Sequence, residues 1–171
     1  MRSFSERIVG AAKLEVEAYE EIEEDETATG QAMGVVVLSS LAVGLGSMGV
    51  GIGGMVVQVF GALLGWLLWA GLTYFIGTRL LPEPQTQADV GQLMRTLGFA
   101  QAPGILRVVG GLPVIGGLTN LIVSIWMLVT MVIAVRQALD YSNTMRAVAV
   151  VLSGFLVQLV VLAVLFAGLG S

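Results

Sequence analysis

Long runs of apolar residues, separated by short polar breaks, make up most of the chain. Between Glu26 and Arg79 lie 52 residues without a charge, which is room for two membrane spans of about 20 residues each. Six glycines within 44–54 supply the turn between them, because glycine adopts the backbone angles that a turn requires. The pattern predicts spans at 32–48 and 54–78.

Two further uncharged runs follow in the C-terminal part, and the first begins with a turn rich in glycine and proline. They predict spans at 118–136 and 147–169. We expect Ser142 or Thr144 to cap the last helix, since a hydroxyl can accept a hydrogen bond from the first free backbone N–H groups.

The stretch at 90–108 is apolar enough to enter a bilayer but contains polar residues and a proline. A polar loop with two prolines precedes it at 82–87. Asp89, followed three residues later by Gln92, has the spacing of a capping box. Pro103 lacks the N–H that would continue the helical hydrogen bonds, so we expect a kink there. We therefore predict a kinked third span, which brings the number of spans to five.

Two short helical patterns precede the spans, in the acid-rich segment 1–30. The first, over 3–12, is amphipathic and lies either on the membrane surface as an anchor or against the protein's own helices. The second, over 14–22, carries glutamates that we expect to form a solvated face. The basic residues beside the first pattern are Arg2, Arg7 and Lys13.

Composition places the chain in a membrane and narrows its chemistry. Hydrophobic residues make up 56% of the sequence and charged residues only 12%, against about 25% charged in soluble domains. The chain contains no cysteine and no histidine, which excludes disulfides and thiolate or imidazole metal ligands. No carboxylate pair falls within a span either, so we expect neither an enzyme nor a bound cofactor or metal.

The distribution of basic residues predicts the orientation. With five spans, seven of the eight basic residues lie on one side and only Arg107 lies on the other. Four spans would give six against two. Because basic residues are retained on the cytoplasmic side, the five-span arrangement puts the N-terminus in the cytoplasm and the C-terminus outside. We expect an all-α membrane protein, with five spans over 31–171 preceded by one or two short amphipathic helices.

Polar residues near the spans are interpreted first as packing or partner-contact positions, because isolated polar groups in spans usually bond to neighbouring helices. Arg136 and Asp140 have the spacing of an ion pair on a helix. Gln101 lies close enough to Pro103 to satisfy backbone groups that the proline leaves open. The six candidates are Arg95, Gln101, Pro103, Arg107, Arg136 and Asp140.

Four stretches carry a family likeness: EAYEEIEEDETATGQA at 17–32, LLGWLLWAGLTYFIGTRL at 63–80, LMRTLGFAQAPGILR at 93–107 and WMLVTMVIAVRQALD at 126–140. In these stretches the chain resembles the Yip1 family, and in particular its bacterial members. The resemblance implies a five-helix membrane domain with a cytoplasmic N-terminus, here in a bacterial cytoplasmic membrane. Eukaryotic members are linked to Rab GTPases, but the Asp-Leu-(Tyr/Trp)-Gly-Pro motif is absent here, so Rab binding is not carried over.

Three hypotheses about function follow. The first is a non-enzymatic membrane protein that organises lipids, other membrane proteins or its own copies through helix contacts. The second is an accessory subunit of a larger membrane complex. The third is a lipid or small-solute pathway, which requires a polar cavity around Gln101 and Gln158. Nothing in the sequence predicts a nucleic-acid partner.

Overall fold

The chain folds into a helical bundle. The computed structural model describes residues 1–47, 51–112 and 114–169, with side chains as far as 161 and at 163, and this part of the chain contains no strand. The helices are α1 (Phe4–Ala12), α2 (Val16–Glu24), α3 (Ala28–Gly46), α4 (Ile52–Phe75), α5 (Val90–Phe99), α6 (Gly116–Ala138) and α7 (Thr144–Leu169). A π-helical turn, Ile76–Leu80, extends α4, and a 3₁₀-helix, Ala102–Gly111, follows α5.

Four of these helices, α3, α4, α6 and α7, are long and apolar enough to cross a membrane. The spans predicted at 32–48, 54–78, 118–136 and 147–169 fall on them. Residues 90–108 are not among the four, because α5 has only 10 residues and the rest of the stretch is 3₁₀-helical. The structure is thus all-helical with four candidate spans in its described residues, and the count of five stays a prediction.

The helix break in this stretch comes slightly before the predicted kink. α5 ends at Phe99, and a turn at Ala100 and Gln101 leads into the 3₁₀-helix, in which Pro103 occupies an early position. Proline removes a hydrogen bond to the preceding turn and disfavours helical angles in the residue before it, so the α-helix ends upstream of Pro103. We call the whole stretch 90–111 the interrupted segment.

Helix α3 lies against the interrupted segment along its length, and small residues allow the close approach. A methyl group added at Gly98 would lie 2.7 Å from Cβ of Ala32, and one added at Gly104 would lie 2.0 Å from Oγ of Ser39. A 3₁₀-helix of ten residues is unusually long. Its packing against α3 provides the tertiary contacts that stabilise it.

Helix α1 packs against the bundle. Phe4 meets Phe99 of α5 edge to face, with 6.2 Å between ring centroids. Nε1 of Trp126, in the middle of α6, donates to the carbonyl of Ala12 at 2.7 Å. Arg7 is 2% exposed. Of the two positions considered for this helix, these contacts favour packing against the protein's own helices.

Candidate functional site

The interrupted segment connects the two ends of the bundle. One end, which we call the polar end, is formed by α2, the loop at 81–89 and the turn at 139–143. The other, the opposite end, is formed where α3 and the 3₁₀-helix end and α6 begins. The segment meets Glu23 at the polar end and Gly46 at the opposite end. Four of the six predicted residues, Arg95, Gln101, Pro103 and Arg107, lie on this segment, and the other two, Arg136 and Asp140, lie at the polar end.

Arg95 holds α5 to α2 at the polar end. Its side chain is 6% exposed, and Nε and Nη2 donate to the carbonyl oxygen of Glu23 at 3.0 and 2.5 Å. Arg95 thus joins two helices through a backbone carbonyl.

The predicted capping box at the start of α5 is confirmed. The backbone N–H of Gln92 donates to Asp89 Oδ1 at 2.8 Å, and that of Asp89 donates to Gln92 Oε1 at 2.7 Å.

Glu23 is a buried acid beside this joint. Its Oε1 accepts a hydrogen bond from Nε2 of Gln92 at 3.0 Å. Burial, reinforced by the negative charge of Asp140, raises the pKa of Glu23 to about 7, although Arg95 acts in the other direction. Burial disfavours the ionised form because the carboxylate loses its hydration. Glu23 therefore changes charge near neutral pH.

The raised pKa predicts that stability falls as pH rises from about 4.5 to about 7. The folded state holds the Glu23 proton more tightly than the unfolded state, so ionisation in this window favours unfolding. Thermal unfolding in detergent at constant ionic strength should show this slope, and Glu23→Gln should flatten it. The chain has no histidine to add a slope of its own. Glu17→Gln, at an exposed position of the same helix, should keep the wild-type slope; an equal loss in both variants would contradict the assignment.

Arg136 and Asp140 line a cleft of about 590 Å³ at the polar end, but they do not pair as predicted. Nε of Arg136 donates to the carbonyl of Tyr141 at 3.2 Å, and no ion pair joins Arg136 to Asp140. Helix α6 ends at Ala138, and Asp140 has a φ of 52°. The i,i+4 spacing brings side chains together only within a helix, so the prediction of an ion pair is wrong.

The start of α7 is held by a carboxylate from the loop at 81–89. Glu83 accepts hydrogen bonds from the backbone N–H and the hydroxyl of Ser142, at 3.0 and 2.7 Å, and pairs with Arg146 at 3.3 Å. The bonds from Ser142 hold the pKa of Glu83 below its usual value. Asn143 Oδ1 accepts from the N–H of Met145 at 2.8 Å, so the cap is Asn143, and the prediction of Ser142 or Thr144 is wrong.

Gln101 lies midway along the interrupted segment and faces a cavity of about 280 Å³. Gln158 lines the same cavity, but most of the remaining lining consists of aromatic, methionine and small apolar side chains. The Gln101 carbonyl accepts from the N–H of Gly104 at 2.8 Å. Within the described residues the side chain makes no hydrogen bond to the backbone near Pro103. The two amides thus share a cavity that is mainly apolar.

Pro103 is buried, and Arg107 lies at the opposite end. Nη2 of Arg107 donates to Oγ of Ser124 on α6 at 2.8 Å. The carbonyl of Arg107 packs directly on Gly46, where an added methyl group would lie 2.1 Å from its oxygen. The six predicted residues are therefore spread from one end of the bundle to the other and do not form one site.

Several residues that form buried ion pairs or hydrogen bonds could not be recognised from the sequence. Arg7 pairs with Glu21 and Asp25 at 2.9 and 2.7 Å, and Glu23 meets Arg95. These acids belong to a run of eight within 15–26, in which nothing in the sequence distinguishes the buried acids from the solvated ones.

Among the described residues, no group of three or more acidic, histidine or cysteine side chains is arranged to hold a metal ion.

The sequence and the structure were compared with known proteins. No curated protein and no solved structure matches the chain. The family model described as Yip1 domain matches residues 16–165. That match covers all four candidate spans up to the last turns of α7, together with the interrupted segment and α2. The chain therefore belongs to the Yip1 family of membrane proteins.

Proposed function

We propose that this protein is a non-enzymatic organiser of membrane proteins, which associates with transmembrane helices of other chains through one face of α4. The observation that carries the proposal is the openness of that face. Only 11% of the most apolar window of the extended α4 is buried within the bundle, against 44% for α3. Twelve of the 24 residues of α4 are exposed.

The open face combines glycines with large apolar residues. Gly61 and Gly65 stand four residues apart, and a methyl group added at either would meet no atom within 4 Å. Phe60, Leu64 and Leu68 are 64%, 61% and 74% exposed. Small residues at this spacing let a second helix approach closely, and close packing is a main source of helix association in lipid. The face thus has the form of a helix-contact surface.

Replacing both glycines by leucine tests the proposal. In cells treated with a membrane-permeable crosslinker, we expect the Gly61→Leu/Gly65→Leu variant to lose most of the crosslinked species seen with the wild type. Leucine fills the groove, so a partner helix can no longer approach. Gly117→Leu is the matched control, because Gly117 lies on α6 rather than α4, is exposed, and likewise has no atom within 4 Å of an added methyl group. Identical crosslinking patterns in all three proteins would overturn the proposal.

We further propose five membrane crossings, with the polar end in the cytoplasm. The contacts of the interrupted segment at both ends of the bundle support a fifth crossing. Ten α-helical and ten 3₁₀-helical residues cover about 35 Å, enough for a hydrocarbon core of about 30 Å. The positive-inside tally supports the orientation. In this arrangement the N-terminus is cytoplasmic and the C-terminus is outside.

Labelling of single cysteines distinguishes five crossings from four. The chain contains no cysteine, so Ser171→Cys introduces a unique thiol. We expect a membrane-impermeant maleimide to label it in intact bacterial cells, whereas Glu26→Cys at the polar end should react only after the cells are opened. Protection of both positions in intact cells would indicate an even number of crossings and contradict the proposal.

A further inference from the structure

A small cavity beside Arg107 stands out at the opposite end of the bundle. Its volume is about 90 Å³, and its lining is Val43, Gly46, Ser47, Arg107, Gly110 and Asn120. The cavity lies where the last turn of α3, the end of the 3₁₀-helix and the first turns of α6 meet. It is separate from the cleft and the larger cavity described above.

Close backbone packing builds the walls of this cavity. A methyl group added at Gly116 would lie 2.0 Å from the carbonyl oxygen of Gly110, and one added at Gly110 would lie 3.0 Å from the side-chain amide of Asn120. Gly46 meets the carbonyl of Arg107 in the same way. Because closely packed backbone moves little, the backbone positions of Arg107 and Asn120 are fixed before a ligand binds.

No acidic side chain pairs with Arg107 in the part of the chain that the structure describes. Nine of the twelve acidic residues lie in 1–26, and the other three are Glu83, Asp89 and Asp140 in the two connections of the polar end. None forms an ion pair with Arg107. Within residues 1–47, 51–112 and 114–169, its Nη2 reaches only the neutral hydroxyl of Ser124, and its buried Nε has no hydrogen-bond partner. A buried donor without a partner is costly, more so when it is charged.

These features define the ligand as an anion with several acceptor oxygens. The guanidinium group binds phosphate and carboxylate well because its donors form a planar fork. The side-chain amide of Asn120 adds a second donor to the lining, whereas the hydroxyl of Ser47 donates to the carbonyl of Gly44 at 3.0 Å. Phosphate offers several acceptor oxygens, which suits the guanidinium and amide donors of this cavity.

The rim of the cavity indicates where the phosphate comes from. Exposed apolar side chains stand one or two positions before lining residues on α3, the 3₁₀-helix and α6: Leu45 is 58% exposed, Leu106 47% and Leu118 61%. Such side chains contact acyl chains, whereas the polar lining of the cavity suits a head group. We propose that the Arg107 cavity binds the phosphate of a membrane lipid. The inference does not depend on the contacts made by α4.

Native mass spectrometry of detergent-purified protein tests the proposal, with phosphatidylglycerol and a phosphate-free galactolipid as probes. The wild type should retain phosphatidylglycerol, and Arg107→Gln should retain about tenfold less, as expected for the loss of a charge-assisted hydrogen bond. The galactolipid should not distinguish the two proteins. Arg79→Gln, which removes an exposed arginine at the end of α4, should behave like the wild type.

A second measurement distinguishes binding of a lipid phosphate from binding of free phosphate. Thermal unfolding of delipidated protein is followed with inorganic phosphate or chloride at equal ionic strength. If phosphate stabilises the wild type but not Arg107→Gln, while phosphatidylglycerol retention is equal in both, the site binds free phosphate and the lipid source is overturned. No Arg107-dependent effect in either measurement overturns the site itself. Should Arg107→Gln fail to fold, Asn120→Leu takes its place, and wild-type retention in that variant would overturn the proposal.

Discussion

Replacing Arg7 by methionine should lower the free energy of unfolding by about 3 kcal/mol, which is the low end of the cost of removing one partner from a buried ion pair. The low end applies because Glu21 and Asp25 keep 26% and 10% of their side-chain surface exposed and can recover some hydration. Arg7 also donates to Gln31 Oε1 at 3.2 Å, so a single guanidinium joins α1, α2 and the first turn of α3. Unfolding by sodium dodecyl sulfate in mixed micelles measures the change.

Arg2→Met is the matched control for Arg7. Arg2 pairs with Glu15 at 3.2 Å, but their side chains are 30% and 39% exposed. An exposed ion pair contributes at most about 1 kcal/mol, because water screens it and both side chains lose freedom. Equal destabilisation by the two variants would mean that the burial of Arg7 has no energetic role.

Replacing Gly46 by alanine should cost about 3 kcal/mol, the upper part of the usual range for overpacking. The added methyl group would lie 2.1 Å from the carbonyl oxygen of Arg107 and 3.2 Å from its carbonyl carbon. Both are backbone atoms, so no rotation of a side chain relieves the clash, and the end of α3 must move away from the 3₁₀-helix. The same unfolding measurement in mixed micelles applies.

The control for Gly46 lies in the same helix. A methyl group added at Gly30 would meet no atom within 4 Å, so Gly30→Ala should raise stability by up to about 1 kcal/mol through the helix preference of alanine. Opposite signs for the two variants would attribute the cost at Gly46 to the close contact. Equal stabilisation by both would show that the approach to Arg107 is loose.

Features that depend on neighbouring residues in the chain could be predicted from the sequence. The four long helices follow from uncharged runs, and the capping box follows from the spacing of Asp89 and Gln92. The Arg136–Asp140 pair was predicted wrongly for a related reason. Its spacing assumes that α6 continues to Asp140, whereas the helix ends two residues earlier at Ala138. A local rule therefore succeeds only where the local structure it assumes is present.

Features that depend on distant partners could not be predicted. Proline indicates that a helix breaks near residue 103, but the 3₁₀-helix that follows is stabilised against α3, where Ser39 meets Gly104. Neither residue identifies the other in the sequence. The same holds for Trp126, whose indole reaches the carbonyl of Ala12 across 114 positions. The contacts of Arg95 with Glu23, of Arg107 with Ser124 and of Glu83 with Ser142 are likewise between residues distant in the sequence.

Tyr141 joins the start of α7 to the end of α4. Its hydroxyl lies 3.0 Å from the carbonyl oxygen of Gly77 and 2.7 Å from that of Leu81, at the widened turn that ends α4. Farther along α7, the side chains at 156–161 are all exposed. Before that point α7 packs on α4, with 4.8 Å between the ring centroids of Phe155 and Trp69. The part of α7 that lipid or a neighbouring chain can reach freely therefore begins about halfway along the helix.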